Sequence, residues 1–137
     1  MPIRIAMWSG PRNISTALMR SFENRSDTFI TDEPFYAHYL QQTGVYHPIR
    51  EEVIKSGNPN WNEVAEYLTG AIPKGKSVWY QKHMAQHNLP CADLSWTEKL
   101  ENCFLIRDPM EVILSYSEKY EITSIHQLGY PLSLIHI

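Results

Sequence analysis

The chain reads as an α/β protein, a three-layer parallel sheet flanked by helices. Short apolar runs alternate with amphipathic stretches along 137 residues, the pattern of strands joined by crossover helices. The runs are apolar on both faces, as strands of a covered parallel sheet are. Polar loops with turn or cap residues follow the runs, where such sheets place ligands.

The predicted order is strand 3–9, helix 14–24, strand 28–33, a helical region 35–56, helix 61–72, strand 77–83, a linker, strand 102–107 and helix 109–119. Ile3-Arg4-Ile5-Ala6-Met7-Trp8 is the first buried run, with Arg4 expected where that strand starts. Ile14, Ala17, Leu18 and Phe22 fall on one helical face. Gly57-Asn58-Pro59-Asn60 and Pro73-Lys74-Gly75-Lys76 are turn clusters between elements. Asp108-Pro109 pairs an N-cap with a first-turn proline, and Glu111 sits where a capping box would place it.

Ser9-Gly10-Pro11-Arg12-Asn13-Ile14-Ser15-Thr16 links the first strand to the first helix. A strand–loop–helix turn of this kind gathers free N–H groups and the positive end of a helix dipole at one point, which suits a phosphate or sulfate. Arg12, Ser15 and Thr16 add a cation and two hydroxyls. A nucleotide triphosphatase loop requires G-x-x-x-x-G-K-[ST]. Counted from Gly10, Ser15 stands at the second glycine and Thr16 at the lysine, so ATP chemistry is disfavoured. A second cation, Arg107, stands where the apolar run Cys103–Ile106 ends, and Ser115 lies eight positions on, within the following helix. Two side chains could act as bases: His83 at the end of Ser77–His83, and Glu33 at the end of Phe29–Glu33. Glu33 has the alternative role of orienting its loop or capping a helix over 35–40.

Together the two loops resemble the sulfotransferases that use 3′-phosphoadenosine 5′-phosphosulfate (PAPS). Pro11-Arg12-Asn13-Ile14-Ser15-Thr16 is similar to that family's P-K-S-G-T-[ST] loop, with arginine for lysine and Asn13-Ile14 for Ser-Gly. Arg107 with Ser115-Tyr116 resembles its 3′-phosphate site. Gln81-Lys82-His83 resembles its K-x-H triplet with the lysine displaced, and Glu33-Pro34 its E-P pair. The resemblance implies a P-loop-hydrolase-like fold and sulfuryl transfer from PAPS, without a metal, to a hydroxyl or amine of a small-molecule acceptor. It makes Ser9 to Thr16, Arg107 and Ser115 donor-binding, and Arg12, His83 and Glu33 catalytic. Tyr36, Tyr39 and Tyr46 would lie towards the acceptor. Trp8, Trp79 and Phe104 read as core, with adenine stacking an alternative for Trp8. A small-molecule kinase and a non-catalytic sulfotransferase-like module are the rival readings.

His83, His87 and Cys91 recur every four residues, but Asn88-Leu89-Pro90 interrupts any helix that would align them on a metal. Cys91 and Cys103 lack the spacing of a disulfide framework, as in a cytosolic protein. With 12 basic and 15 acidic residues, the net charge of −3 favours neither nucleic acid nor a membrane surface. No apolar stretch reaches membrane-spanning length. The first strand begins too early for a signal peptide, so a cytoplasmic location is expected. The oligomeric state is left open. Leu132–Ile137 matches a translation of a transposon adapter used in sequencing libraries. A sulfotransferase-like domain over 1–131, truncated at its C-terminus, followed by a non-native tail over 132–137, is therefore expected.

Overall fold

The computed structural model describes residues 1–131; the expected tail over 132–137 lies outside the described residues. Four strands, β1 (Ile3–Ser9), β2 (Thr28–Asp32), β3 (Val78–Met84) and β4 (Glu101–Leu105), form one sheet in the order β2-β3-β1-β4. All three pairings are parallel, as the alternating pattern predicts. Among the described residues the α-helices are α1 (Ser15–Glu23), α2 (Tyr36–Thr43), α3 (Arg50–Ser56), α4 (Trp61–Thr69) and α5 (Pro109–Ser117).

The expected helical region 35–56 is two helices. Gly44 ends α2 at φ 64, a left-handed cap that suits glycine, and α3 starts only at Arg50. Helix α4 stops at Thr69, before Gly70, whose carbonyl accepts from Arg4 Nε at 2.9 Å and so satisfies that arginine near the start of β1. Asp108 caps α5 by accepting from Met110 N at 2.8 Å, with Pro109 in the first turn. Glu111 does not complete the expected capping box; it meets Arg107 Nε at 3.3 Å instead.

The sheet separates two environments. On one face Trp8, Trp79, Trp96, Phe35 and Leu68 join one apolar cluster, under α4 and the 3-10 helix Ser95–Lys99. Trp8 is 1% exposed and bonds Asn102 Oδ1 through its indole N–H at 2.9 Å, so it belongs to the core and not to a ligand stack. On the other face α1 packs on β2 and β3, with Phe22 stacked on Tyr80 at 4.4 Å. The carboxyl ends of β1, β2 and β3 rise between these layers and carry the candidate site.

Candidate active site

The loop after β1 is held in an uncommon conformation. Arg12 and Ile14 adopt φ 63 and φ 51, left-handed values without glycine at either position. Asn13 explains how the loop holds: its buried Nδ2 donates to the carbonyls of Gly10 and Pro11 at 2.9 and 3.0 Å. A Cβ at Gly10 would run into the Leu128 carbonyl, so the 3-10 helix Ile125–Leu128 braces the loop from outside. Among the described residues no side chain caps α1, and its first N–H groups lie at the loop's mouth. Ser15 is buried and Thr16 exposed at that same turn.

Two expected anion sites converge here. Arg12 Nε donates to Ser115 Oγ on α5 at 2.8 Å, and Arg107 Nη1 donates to the Arg12 carbonyl at 2.9 Å. Residues 95 and 103 positions apart in sequence thus share one wired cluster. Not every predicted loop residue turns towards it. Ser9 is 2% exposed and its hydroxyl faces the Met84 sulfur at 3.8 Å. Asn13 serves the loop's own carbonyls, and the Ile14 side chain projects outward, 74% exposed. These three shape the loop more directly than they could hold a ligand through their side chains.

Lys82, quoted in the sequence only as the displaced lysine of a triplet, emerges as a site residue. Strand β3 points alternate side chains to opposite faces, and Lys82 emerges on the α1 face with only 6% of its side chain exposed. Its Nζ donates to Thr16 Oγ1 at 3.1 Å and to Asp32 Oδ1 at 3.0 Å, and lies 3.8 Å from Glu33 Oε1. The available signal was a lysine next to the end of the predicted strand, on the alternate face from Gln81 and His83. Lys82 joins the first helical turn to the end of β2.

Glu33 sits just past β2 at φ 45, its N–H donating to the Lys82 carbonyl at 3.0 Å. Burial raises its carboxyl above the usual carboxylate range; Lys82 pulls the other way and Asp32 adds to the rise. The group faces a cavity of about 840 Å³ whose wall includes Pro11 of the loop, Tyr36, Tyr39, Tyr46, Tyr116 and Tyr120. The three tyrosines expected near the acceptor therefore share one cavity with Glu33.

His83 departs from expectation. It is 2% exposed, stacks on Trp8 at 4.6 Å, packs near Phe35 and Trp96, and meets Gln81 Oε1 at 3.1 Å. Burial, with a smaller contribution from His87, pushes its imidazolium down to about 3. Being one position beyond Lys82, it falls on the opposite face, inside the core. Its ring supports the sheet and is not presented to the cavity. Among the described residues no group of three or more His, Cys, Asp or Glu side chains is arranged to hold a metal, and no helix is long and apolar enough to cross a membrane.

A sulfotransferase-domain family matches residues 3–131. The chain belongs to that family. Its four-stranded parallel sheet with flanking helices fits the P-loop-like fold of sulfotransferases. Two curated relatives from Arabidopsis thaliana are branched-chain-amino-acid aminotransferase-like proteins 1 and 2, at 35% and 33% identity. The matches cover 93% and 91% of this chain but only 23% and 22% of those proteins. The chain thus spans less than a quarter of their length. No solved structure matches it.

Proposed function

We propose that this sulfotransferase-family domain moves a sulfuryl group from PAPS to a hydroxyl or amine acceptor in the tyrosine-walled cavity. The observation that carries the reading is the Arg12–Ser115 bond at 2.8 Å, because it joins the loop after β1 to the Arg107 site as one anion-binding surface. A donor with phosphate at both its 5′ and 3′ ends matches a surface bearing Arg12, Arg107, Lys82 and an uncapped helix start. The aminotransferase-like names describe proteins of which this match is a small part, and they do not decide the chemistry of residues 3–131.

The reaction requires an in-line arrangement: acceptor on one side of sulfur, leaving phosphate on the other. Glu33 takes the acceptor proton, the acceptor oxygen or nitrogen bonds to sulfur, and the bridging oxygen leaves with the electron pair on the 5′-phosphate. Lys82, Arg12 and the first N–H groups of α1 meet that developing charge. Burial raises the Glu33 carboxyl and makes it a better proton acceptor, while Lys82, 3.8 Å away, favours its ionised form. His83 has no place in this sequence of events.

The test is titration of the full chain with 3′,5′-adenosine bisphosphate and, separately, with ADP and magnesium. Tighter binding of the bisphosphate is expected, together with its release from PAPS when an acceptor is added. Preference for magnesium–ADP would favour a kinase instead.

A further inference from the structure

The cavity beside Glu33 carries a charge pattern opposite to that of the donor side. Among the described residues lining it, the formally charged groups are Glu33 and Glu121, with no lysine or arginine. Buried His87 does not reverse that sign. His87 is 4% exposed, and burial, helped by nearby Lys82, pushes it down to about 3. His47 accepts the Ile49 N–H on Nδ1 at 3.3 Å.

Aromatic rings make up much of the remaining wall. Tyr36 stacks on His87 at 5.1 Å, Tyr39 tilts against the same ring at 4.9 Å, and Tyr116 lies 5.1 Å from Tyr120. Burial holds the Tyr36, Tyr39 and Tyr116 phenols above their usual range, so the rings stay neutral and electron-rich on their faces. Tyrosine faces attract organic cations, most strongly where water is excluded. An anionic acceptor would meet two carboxylates, and a neutral one would use Glu33 as base but leave Glu121 without a role.

We infer that the acceptor is a hydroxylated organic cation, an amino alcohol whose ammonium lies against the tyrosine rings and Glu121 while its hydroxyl meets Glu33. The inference rests on the sulfotransfer reading of the same site and names its substrate class. The proton passes to Glu33, the hydroxyl oxygen bonds to sulfur, and the bisphosphate departs with the electron pair of the broken S–O bond. The product is a zwitterionic sulfate ester, which no longer presents a net positive charge to the cavity and is released more readily.

The experiment uses the full chain saturated with 3′,5′-adenosine bisphosphate. It is titrated with 2-hydroxyethyl-trimethylammonium and with 3,3-dimethylbutan-1-ol, the neutral carbon isostere. The pair is repeated with one methyl of each replaced by benzyl, to fill more of the cavity. Each cation should bind roughly tenfold or more tightly than its isostere. Glu121→Gln should narrow that ratio while bisphosphate affinity stays unchanged, and the cations should be sulfated from PAPS. Equal binding, preference for the isosteres, or no binding by either pair would overturn the inference. If the bisphosphate binds and only neutral alcohols are sulfated, the substrate class alone is wrong. If the bisphosphate itself does not bind, the sulfotransfer reading fails and takes the substrate class with it.

Discussion

Lys82 and His83 are neighbours on one strand, yet they live in different chemistry. Lys82 faces α1 and ties Thr16 to the acidic end of β2. His83 faces the tryptophan cluster and is held neutral by burial. A polar side chain at a strand end becomes a candidate for catalysis only on the face where a ligand can arrive. On the other face the same position is used for packing, and a titratable ring there is a liability as the pH falls.

The largest effect should come from the ligand face. Glu33→Gln removes the proposed base and should slow sulfuryl transfer by about 10²–10⁴-fold, with donor binding kept, as followed by bisphosphate release from PAPS. In the unmodified protein the acid limb of the rate profile should lie above the ordinary carboxylate range, since burial raises Glu33. A rate unchanged in Glu33→Gln would break the comparison by leaving the accessible face without a base.

Arg107→Ala should weaken bisphosphate binding by about 1.5–3 kcal/mol, the worth of a hydrogen bond to a charged group. Calorimetric titration measures it. Unchanged affinity would separate Arg107 from the surface that Arg12 and Ser115 form.

The core face makes its own prediction, one of stability. His83 and His87 have folded pKa values of about 3, below the ordinary histidine value, so the unfolded chain binds the extra protons first. Their contribution is complete above about pH 6.5 and is lost as pH falls towards the folded values, by up to about 1.4 kcal/mol per pH unit for each ring. Denaturant melts from pH 7 to pH 5 should show the decline, and His83→Gln should make it shallower. Equal slopes in both proteins would mean that His83 is not buried neutral.

The smallest effect sharpens the picture of the loop. Ile14 is exposed and left-handed, so Ile14→Gly should stabilise the fold by about 1 kcal/mol with the bisphosphate still bound. A destabilised variant would show that the isoleucine side chain contributes more than its strained backbone costs.

Much of this was legible in the residues themselves. Apolar runs located all four strands, and the Asp108-Pro109 pair located the start of α5, because both signals are local. The break between α2 and α3 is hard to see in the sequence, although Gly44 and Pro48 lie in it, because apolar positions on both sides blur the period. The Arg12, Ser115 and Arg107 cluster was anticipated as two sites; their bonding across β1 and α5 depends on tertiary packing. The face on which His83 lies is not legible in the sequence. Alternation along β3 sets Lys82 and His83 apart, but which face is the core follows from where Trp8, Phe35 and Trp96 gather.

The most direct measurement of the account is bisphosphate affinity in Lys82→Met and His83→Gln, each first shown to melt cooperatively. The account predicts that Lys82→Met binds about tenfold or more weakly, as loss of a charged contact requires, while His83→Gln binds as the unmodified chain does. Affinity lost in His83→Gln and kept in Lys82→Met would contradict it, and would move the site to the other face of the sheet.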